Sequence, residues 1–136
     1  MSWLDRRLAP KELGRLGERR AMWFYRLRGY RIVARNLRLK SGELDLVVRR
    51  GRTVVVAEVK TRQTQTAGEG HEAVDGKKRT RLIRIADEYL AKHPEVRELR
   101  YDIVSLFWTG WRFVVSHYPD AFRADSDPVR PWILRG

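Results

Sequence analysis

The sequence predicts an α/β fold with a mixed central sheet flanked by helices, and three observations predict it. Two segments with apolar residues at helical spacing bracket strand-like runs, in the order α-β-β-β-α-β-β. The third of those runs, residues 53–61, is apolar on both faces. Val54 and Val56 share one side with Glu58 and Lys60, while Val55, Ala57 and Val59 take the other. A strand covered on both sides belongs in the middle of a sheet. Finally, 136 residues with 43% apolar content suffice for one core and are too few for two ordinary domains.

The elements follow in order. Pro10 suits the first turn of a helix, which continues through Leu13, Leu16, Gly17, Ala21, Phe24 and Leu27 to a stop at Gly29. Tyr30 to Arg38 reads as a strand, with Tyr30, Ile32 and Ala34 on one side. Ser41-Gly42 turns into a second strand, Glu43 to Val48, and Arg50-Gly51-Arg52 connects it tightly to the third, Thr53 to Thr61. Residues 62–71, rich in Gly, Thr and Gln, read as a loop. Asp75 is placed to cap a second helix whose apolar stripe is Leu82, Ile85, Ala86, Tyr89 and Leu90, and Pro94 ends it. Leu99 to Phe107 is a fourth strand, and Trp108-Thr109-Gly110-Trp111 turns into a fifth that ends near Tyr118. Residues 1–122 thus make a single domain, with 123–136 as a loosely attached tail.

Several chemistries are excluded. There is no cysteine, hence no disulfide scaffold, thiolate zinc site, iron–sulfur cluster or cysteine nucleophile. His71, His93 and His117 lack ligand spacing, and there is no Gly-x-Ser-x-Gly elbow. The stretch Gly70 to Lys78 misses a phosphate loop by one residue of spacing and has Lys78 where Ser or Thr should stand. The longest apolar run is Ala21 to Tyr25, so no signal peptide or membrane span is expected, and the expected location is cytoplasmic.

Charge is the positive clue. The chain carries 29 basic and 17 acidic side chains, a net +12. Residues 1–40 alone hold twelve basic and three acidic groups, or +9. Such a field attracts polyanions, and arginine, which dominates the basic set, grips phosphate bidentately. Arg35, Arg38, Lys40, Arg62, Lys77 and Lys78 are the candidate nucleic-acid contacts. DNA is the expected partner ahead of RNA, and no membrane is expected.

The chemistry-bearing stretch is Gly42-Glu43-Leu44-Asp45-Leu46 followed by Ala57-Glu58-Val59-Lys60. Asp45 and Glu58 fall on neighbouring strands of one hairpin and can sit side by side. Glu58 and Lys60, two residues apart, project from one face about 7 Å from each other. Charges on a central apolar strand are costly unless paired or metal-bound. Two carboxylates and an ammonium meeting there make a coherent divalent-cation site, with oxygen ligands for Mg²⁺ or Mn²⁺.

At this point the sequence resembles a known family. The Asp…Glu-x-Lys pattern is similar to the PD-(D/E)XK nuclease superfamily, the restriction-endonuclease-like fold. More narrowly, it resembles the YraN-like family of predicted bacterial endonucleases, distant relatives of archaeal Holliday junction resolvases. Beyond that pattern, the resemblance is carried by Gly17-Glu18, Gly29-Tyr30, Arg35-Asn36, Thr61-Arg62, Ala73-Val74, Lys77-Lys78, Tyr89-Leu90 and Tyr101-Asp102-Ile103-Val104, across residues 11–122. Leu44 stands where the superfamily pattern has a proline, a departure that leaves the ligands in place.

The resemblance implies a restriction-endonuclease-like αβββαββ fold and a Mg²⁺-dependent nuclease acting on structured or branched DNA. It implies Asp45 and Glu58 as principal metal ligands, with Glu18 and the Val59 carbonyl completing the site. Lys60 would orient or deprotonate the water, so the implied catalytic set is Glu18, Asp45, Glu58 and Lys60. A homodimer is implied by analogy with resolvases. Plainer roles stay open. Glu18 among Arg15, Arg19 and Arg20 also fits a surface ion pair, Glu58 and Lys60 a structural salt bridge, and Asp102 polar packing on its strand. The alternative function is a non-catalytic nucleic-acid-binding module or adaptor that keeps the fold.

Overall fold

The valine-rich third run does occupy the middle of the sheet. The computed structural model describes residues 7–63 and 76–122. They form α1 (Pro10–Arg26), β1 (Arg31–Leu39), β2 (Gly42–Arg50), β3 (Thr53–Arg62), α2 (Gly76–Lys92), β4 (Glu98–Trp108) and β5 (Phe113–Phe122). The strands lie in the order β1-β2-β3-β4-β5. Only β3 and β4 pair in parallel, which requires the long crossover that carries α2. The other neighbours are antiparallel, so the sheet is mixed and the fold is the αβββαββ arrangement of restriction endonucleases.

Each face of β3 builds its own core. Val54 and Val56 pack with Leu82, Ile85, Ala86 and Tyr89 of α2, whereas Val55 and Ala57 pack with Ala21, Met22, Phe24 and Tyr25 of α1. Every fully buried aliphatic side chain of this kind stabilises the fold by about 1.5–3 kcal/mol. Helix α1 comes unusually close to the sheet at Gly17, where a Cβ would lie 1.8 Å from Thr61 Cγ2. Only glycine fits that contact, and it sets Glu18 beside the end of β3.

Three local expectations are corrected. Ala34 does not share a face with Tyr30 and Ile32. A register shift between Ile32 and Ala34 turns it over, and Ala34 packs with the α2 core while Tyr30 and Ile32 pack with the α1 core. Leu27 is not part of the buried stripe. Helix α1 ends at Arg26, and Leu27 is 74% exposed. Strand β5 does not stop near Tyr118 but passes Pro119 to Phe122, helped by a register irregularity and by Asp120 at φ 56°. An edge strand tolerates proline there. The Asp75 cap and the tail 123–136 lie outside the described residues. No described helix is long and apolar enough to cross a membrane.

Candidate active site

Strands β2 and β3 are laddered from Arg50–Thr53 to Leu46–Ala57, and there the pairing ends. The next residue of β2 is Asp45, and its carboxylate replaces the ladder: Oδ2 accepts the Val59 N–H at 3.0 Å. The backbone is irregular on both sides of this point. Leu44 packs in the α2 core and Leu46 in the α1 core, although residues two apart on a regular strand share a face. On β1, Asn36 adopts φ 52° between the Arg35–Leu46 and Leu37–Leu44 pairs. The strands part, and a cleft of about 180 Å³ opens. It is lined by Gly42, Glu43 and Asp45 of β2, Glu58 of β3, Tyr101 of β4, and Arg81 and Leu82 of α2.

Helix α2 holds the rim of this cleft. Glu88 accepts the Lys40 and Ser41 N–H groups at 3.1 and 2.9 Å and also the Ser41 hydroxyl. The Ser41 bonds come first among the causes that bring its carboxyl down to about 2. Gly42 follows at φ 152°, and a Cβ there would meet Ile85 Cδ1 at 2.8 Å. A glycine is therefore required for the turn to seat on α2, and that seating places Glu43 and Asp45.

The cleft is electrostatically unbalanced. Burial raises the pKa of Asp45, and the charges of Glu58, Glu18 and Glu43 add to that against the single Val59 hydrogen bond. The Tyr101 phenol is likewise pushed up, first by burial and then by Glu58 and Asp45, so it remains protonated and able to donate. Arg81 presents a cation to the same opening. Carboxylates crowded in this way favour a bound cation, which relieves both desolvation and mutual repulsion.

The sequence-derived residues divide. Asp45 and Glu58 come together in the cleft, with Glu43 beside them. Glu18 does not line it; it accepts from Asn36 Nδ2 at 3.3 Å and stands 4.0 Å from Arg35 Nη1, close enough to act on Asp45 through its charge. Lys60 lies opposite Ser105, two residues beyond Glu58, and is not among the lining residues. Val59 presents its amide N–H to Asp45. Arg38 is bound to Glu43 at 3.2 Å, Lys40 is exposed at the β1–β2 turn, Arg62 ends β3, and Lys77 and Lys78 stand in the first turn of α2.

Among the described residues, no three His, Asp or Glu side chains converge as metal ligands. The donor set nevertheless fits Mg²⁺, which is commonly held by one or two carboxylates while phosphate oxygens and waters complete an octahedron. Sequence reasoning missed Tyr101 and Glu88. Their only local signals are a tyrosine within the quoted β4 motif and an acid beside the α2 stripe. Arg81 follows Lys77, Lys78 and Arg79 in a basic stretch of the chain, which is its only local signal.

Comparison with known proteins gives the relationship. A family model described as "Uncharacterised protein family UPF0102" matches residues 17–106. The chain is similar to a UPF0102 protein of Dictyoglomus thermophilum, 34% identical over 115 residues, covering 79% of this chain and 98% of that one. It is also similar to those of Prosthecochloris aestuarii, at 37% over 126 residues (87% and 98% covered), and Myxococcus xanthus, at 37% over 123 residues (88% and 98%).

Proposed function

The chain belongs to the UPF0102 family, the YraN-like proteins, and on that premise we propose that it is a Mg²⁺-dependent cytoplasmic nuclease that hydrolyses phosphodiester bonds, in structured or branched DNA foremost. The observation that carries this reading is the parting of β2 and β3 at Asp45. A half-buried carboxylate there, beside Glu58, has a raised pKa and one hydrogen-bond donor.

Asp45 and Glu58 would hold the cation, which would polarise a phosphoryl oxygen and make bound water acidic enough to attack. Arg81, which lines the opening, would take a phosphate oxygen. Tyr101 keeps its proton and can donate to the same group. Lys60, on the Glu58 face of β3, would meet charge as it develops on the phosphoryl group. A homodimer would present two such clefts to two strands.

A specific observation keeps a second reading alive. The outer acids Glu18 and Glu43 already lie against Arg35 and Arg38, and among the described residues no three-ligand cluster is assembled. That arrangement also suits a binding module that retains the fold without cutting. Incubation with branched and linear DNAs, with and without Mg²⁺ or Mn²⁺, separates the two. Metal-dependent cleavage lost in Asp45→Asn and Glu58→Gln supports the nuclease. DNA binding without cleavage of any substrate leaves the binding module.

A further inference from the structure

The end of the sheet away from the cleft carries a second constellation. Arg50 lies five residues beyond Asp45 on β2, about 17 Å away along the strand. Its guanidinium sits 4.4 Å from the Tyr30 ring centroid, and Nη1 donates to the Arg28 carbonyl at 2.8 Å. Arg28 in turn lies 3.5 Å from the Phe24 centroid and donates to the Phe24 carbonyl at 2.9 Å. In the last turn of α1, Arg26 stands 5.2 Å from the Trp23 centroid, with Trp23 itself 51% exposed. Leu27, beside them, is 74% exposed.

These arginines differ from Arg35 and Arg38 in one decisive respect. Among the described residues, no carboxylate stands within ion-pair distance of Arg26, Arg28 or Arg50, whose partners are aromatic faces and carbonyl oxygens. Arg28 and Arg50 are oriented by a ring and a carbonyl without their charge being neutralised, and Arg26 keeps its charge beside the Trp23 ring. The cations complement the C-terminal dipole of α1, which accounts for Arg28 but leaves the exposed indole of Trp23 unexplained.

We propose that this end of the molecule is a second nucleic-acid site, which takes a single strand with a base stacked on Trp23 and its phosphates on Arg26, Arg28 and Arg50. Planar guanidinium groups meet phosphate bidentately, and an exposed indole stacks on any base. A lipid surface fits less well, because the apolar side of α1 is spent on the sheet, leaving Trp23 and Leu27 exposed among charged neighbours. The inference shares with the proposed function only its class of partner and needs no catalysis.

The test is fluorescence anisotropy of the full chain without metal. The probes are labelled oligothymidylate, the matching RNA, and a duplex of equal length. Trp23→Ala should weaken single-strand binding about tenfold and duplex binding far less. Arg26→Gln with Arg50→Gln should weaken both, and should lower the slope of log affinity against log salt by about one per lost phosphate contact. Trp23 and Arg26 side chains make no hydrogen bond within the described residues, so unchanged thermal melting is expected of Trp23→Ala and Arg26→Gln. Asp45→Asn should bind the single strand as wild type does, whether or not the wild type proves to be a nuclease. Unchanged single-strand affinity in Trp23→Ala overturns the proposal. So does loss of binding in Asp45→Asn to the same extent as in Trp23→Ala, or binding to phosphatidylglycerol vesicles and to no oligonucleotide.

Discussion

Asp45, half-buried, and Asp102, fully buried, are aspartates of the same sheet, and they are treated in opposite ways. Asp102, on β4 and 0% exposed, accepts the Tyr25 hydroxyl at 2.7 Å, Arg100 Nε and Nη2 at 2.8 and 2.9 Å, and the Asp120 N–H at 3.0 Å. His117 Nε2 bonds to it at 2.8 Å. Burial acts to raise its pKa but is outweighed by the hydrogen bonds of His117, Arg100, Tyr25 and Asp120, and the carboxyl is held well below the usual range. Asp45 has one backbone donor and three carboxylates for neighbours, and its pKa moves up. The difference lies in the donors supplied. A buried charge saturated with donors ties elements together, here α1, β4 and β5. One crowded by like charges leaves a place for a cation.

The largest expected effect breaks the saturated side. Asp102→Ala strips Arg100, His117 and Tyr25 of their common acceptor and should lower unfolding free energy by about 3–5 kcal/mol in a urea titration. A loss below about 1 kcal/mol would sink the view of Asp102 as an anchor. The sign with pH also follows. A depressed folded pKa contributes stability above the ordinary aspartate value, and that contribution is lost as pH falls through the folded value. The acid limb of the wild-type stability curve should therefore flatten in Asp102→Asn.

Next comes the cleft. Lys60→Met keeps much of the side-chain length and removes the charge. It should leave DNA affinity near normal while cutting cleavage about a hundredfold, read as kcat against Kd. Equal cleavage by both proteins would make Lys60 a structural partner of Glu58.

Gly17→Ala probes what holds Glu18 beside this region. Its Cβ would meet Thr61 Cγ2 at 1.8 Å and Cβ at 3.1 Å. Overpacking of this kind should cost about 1–3 kcal/mol in thermal or urea unfolding. A melt identical to wild type would mean that α1 sits more loosely on β3 than the contact implies.

The smallest effect sharpens the contrast most. Asp45→Asn should abolish Mn²⁺ binding in calorimetry with a DNA oligomer, yet gain about 0.5–1 kcal/mol of stability at neutral pH. A raised folded pKa favours the fold below the ordinary aspartate value and loses that contribution as pH rises through the folded value. The advantage of the variant should thus fade towards acid pH, opposite in sense to Asp102. Asp45→Asn less stable than wild type at pH 7 would place Asp45 with the anchors.

Much of the frame was legible in the chain itself. Periodicity located both helices and all the strands, and the spacing of Asp45, Glu58 and Lys60 located the hairpin. Ala34 was misplaced because a bulge reverses alternation without changing composition. The basic content of the first forty residues was plain. Which cations are quenched by acids was not, since Arg35 and Arg38 meet Glu18 and Glu43 only once α1, β1 and β2 are assembled.

By itself the sequence determined the element order, the two-faced central strand and the carboxylate pair, all set by side chains a few residues apart. Only the tertiary structure decided that Tyr101 and Arg81 enter the cleft, that Glu88 clamps its rim, and that Asp102 is an anchor while Asp45 is not. Each depends on the parallel β3–β4 register or on how α1 and α2 seat against the sheet. Apart from Arg100 beside Asp102, those contacts join residues fifteen or more positions apart, and no local period encodes which donors a buried carboxylate will find.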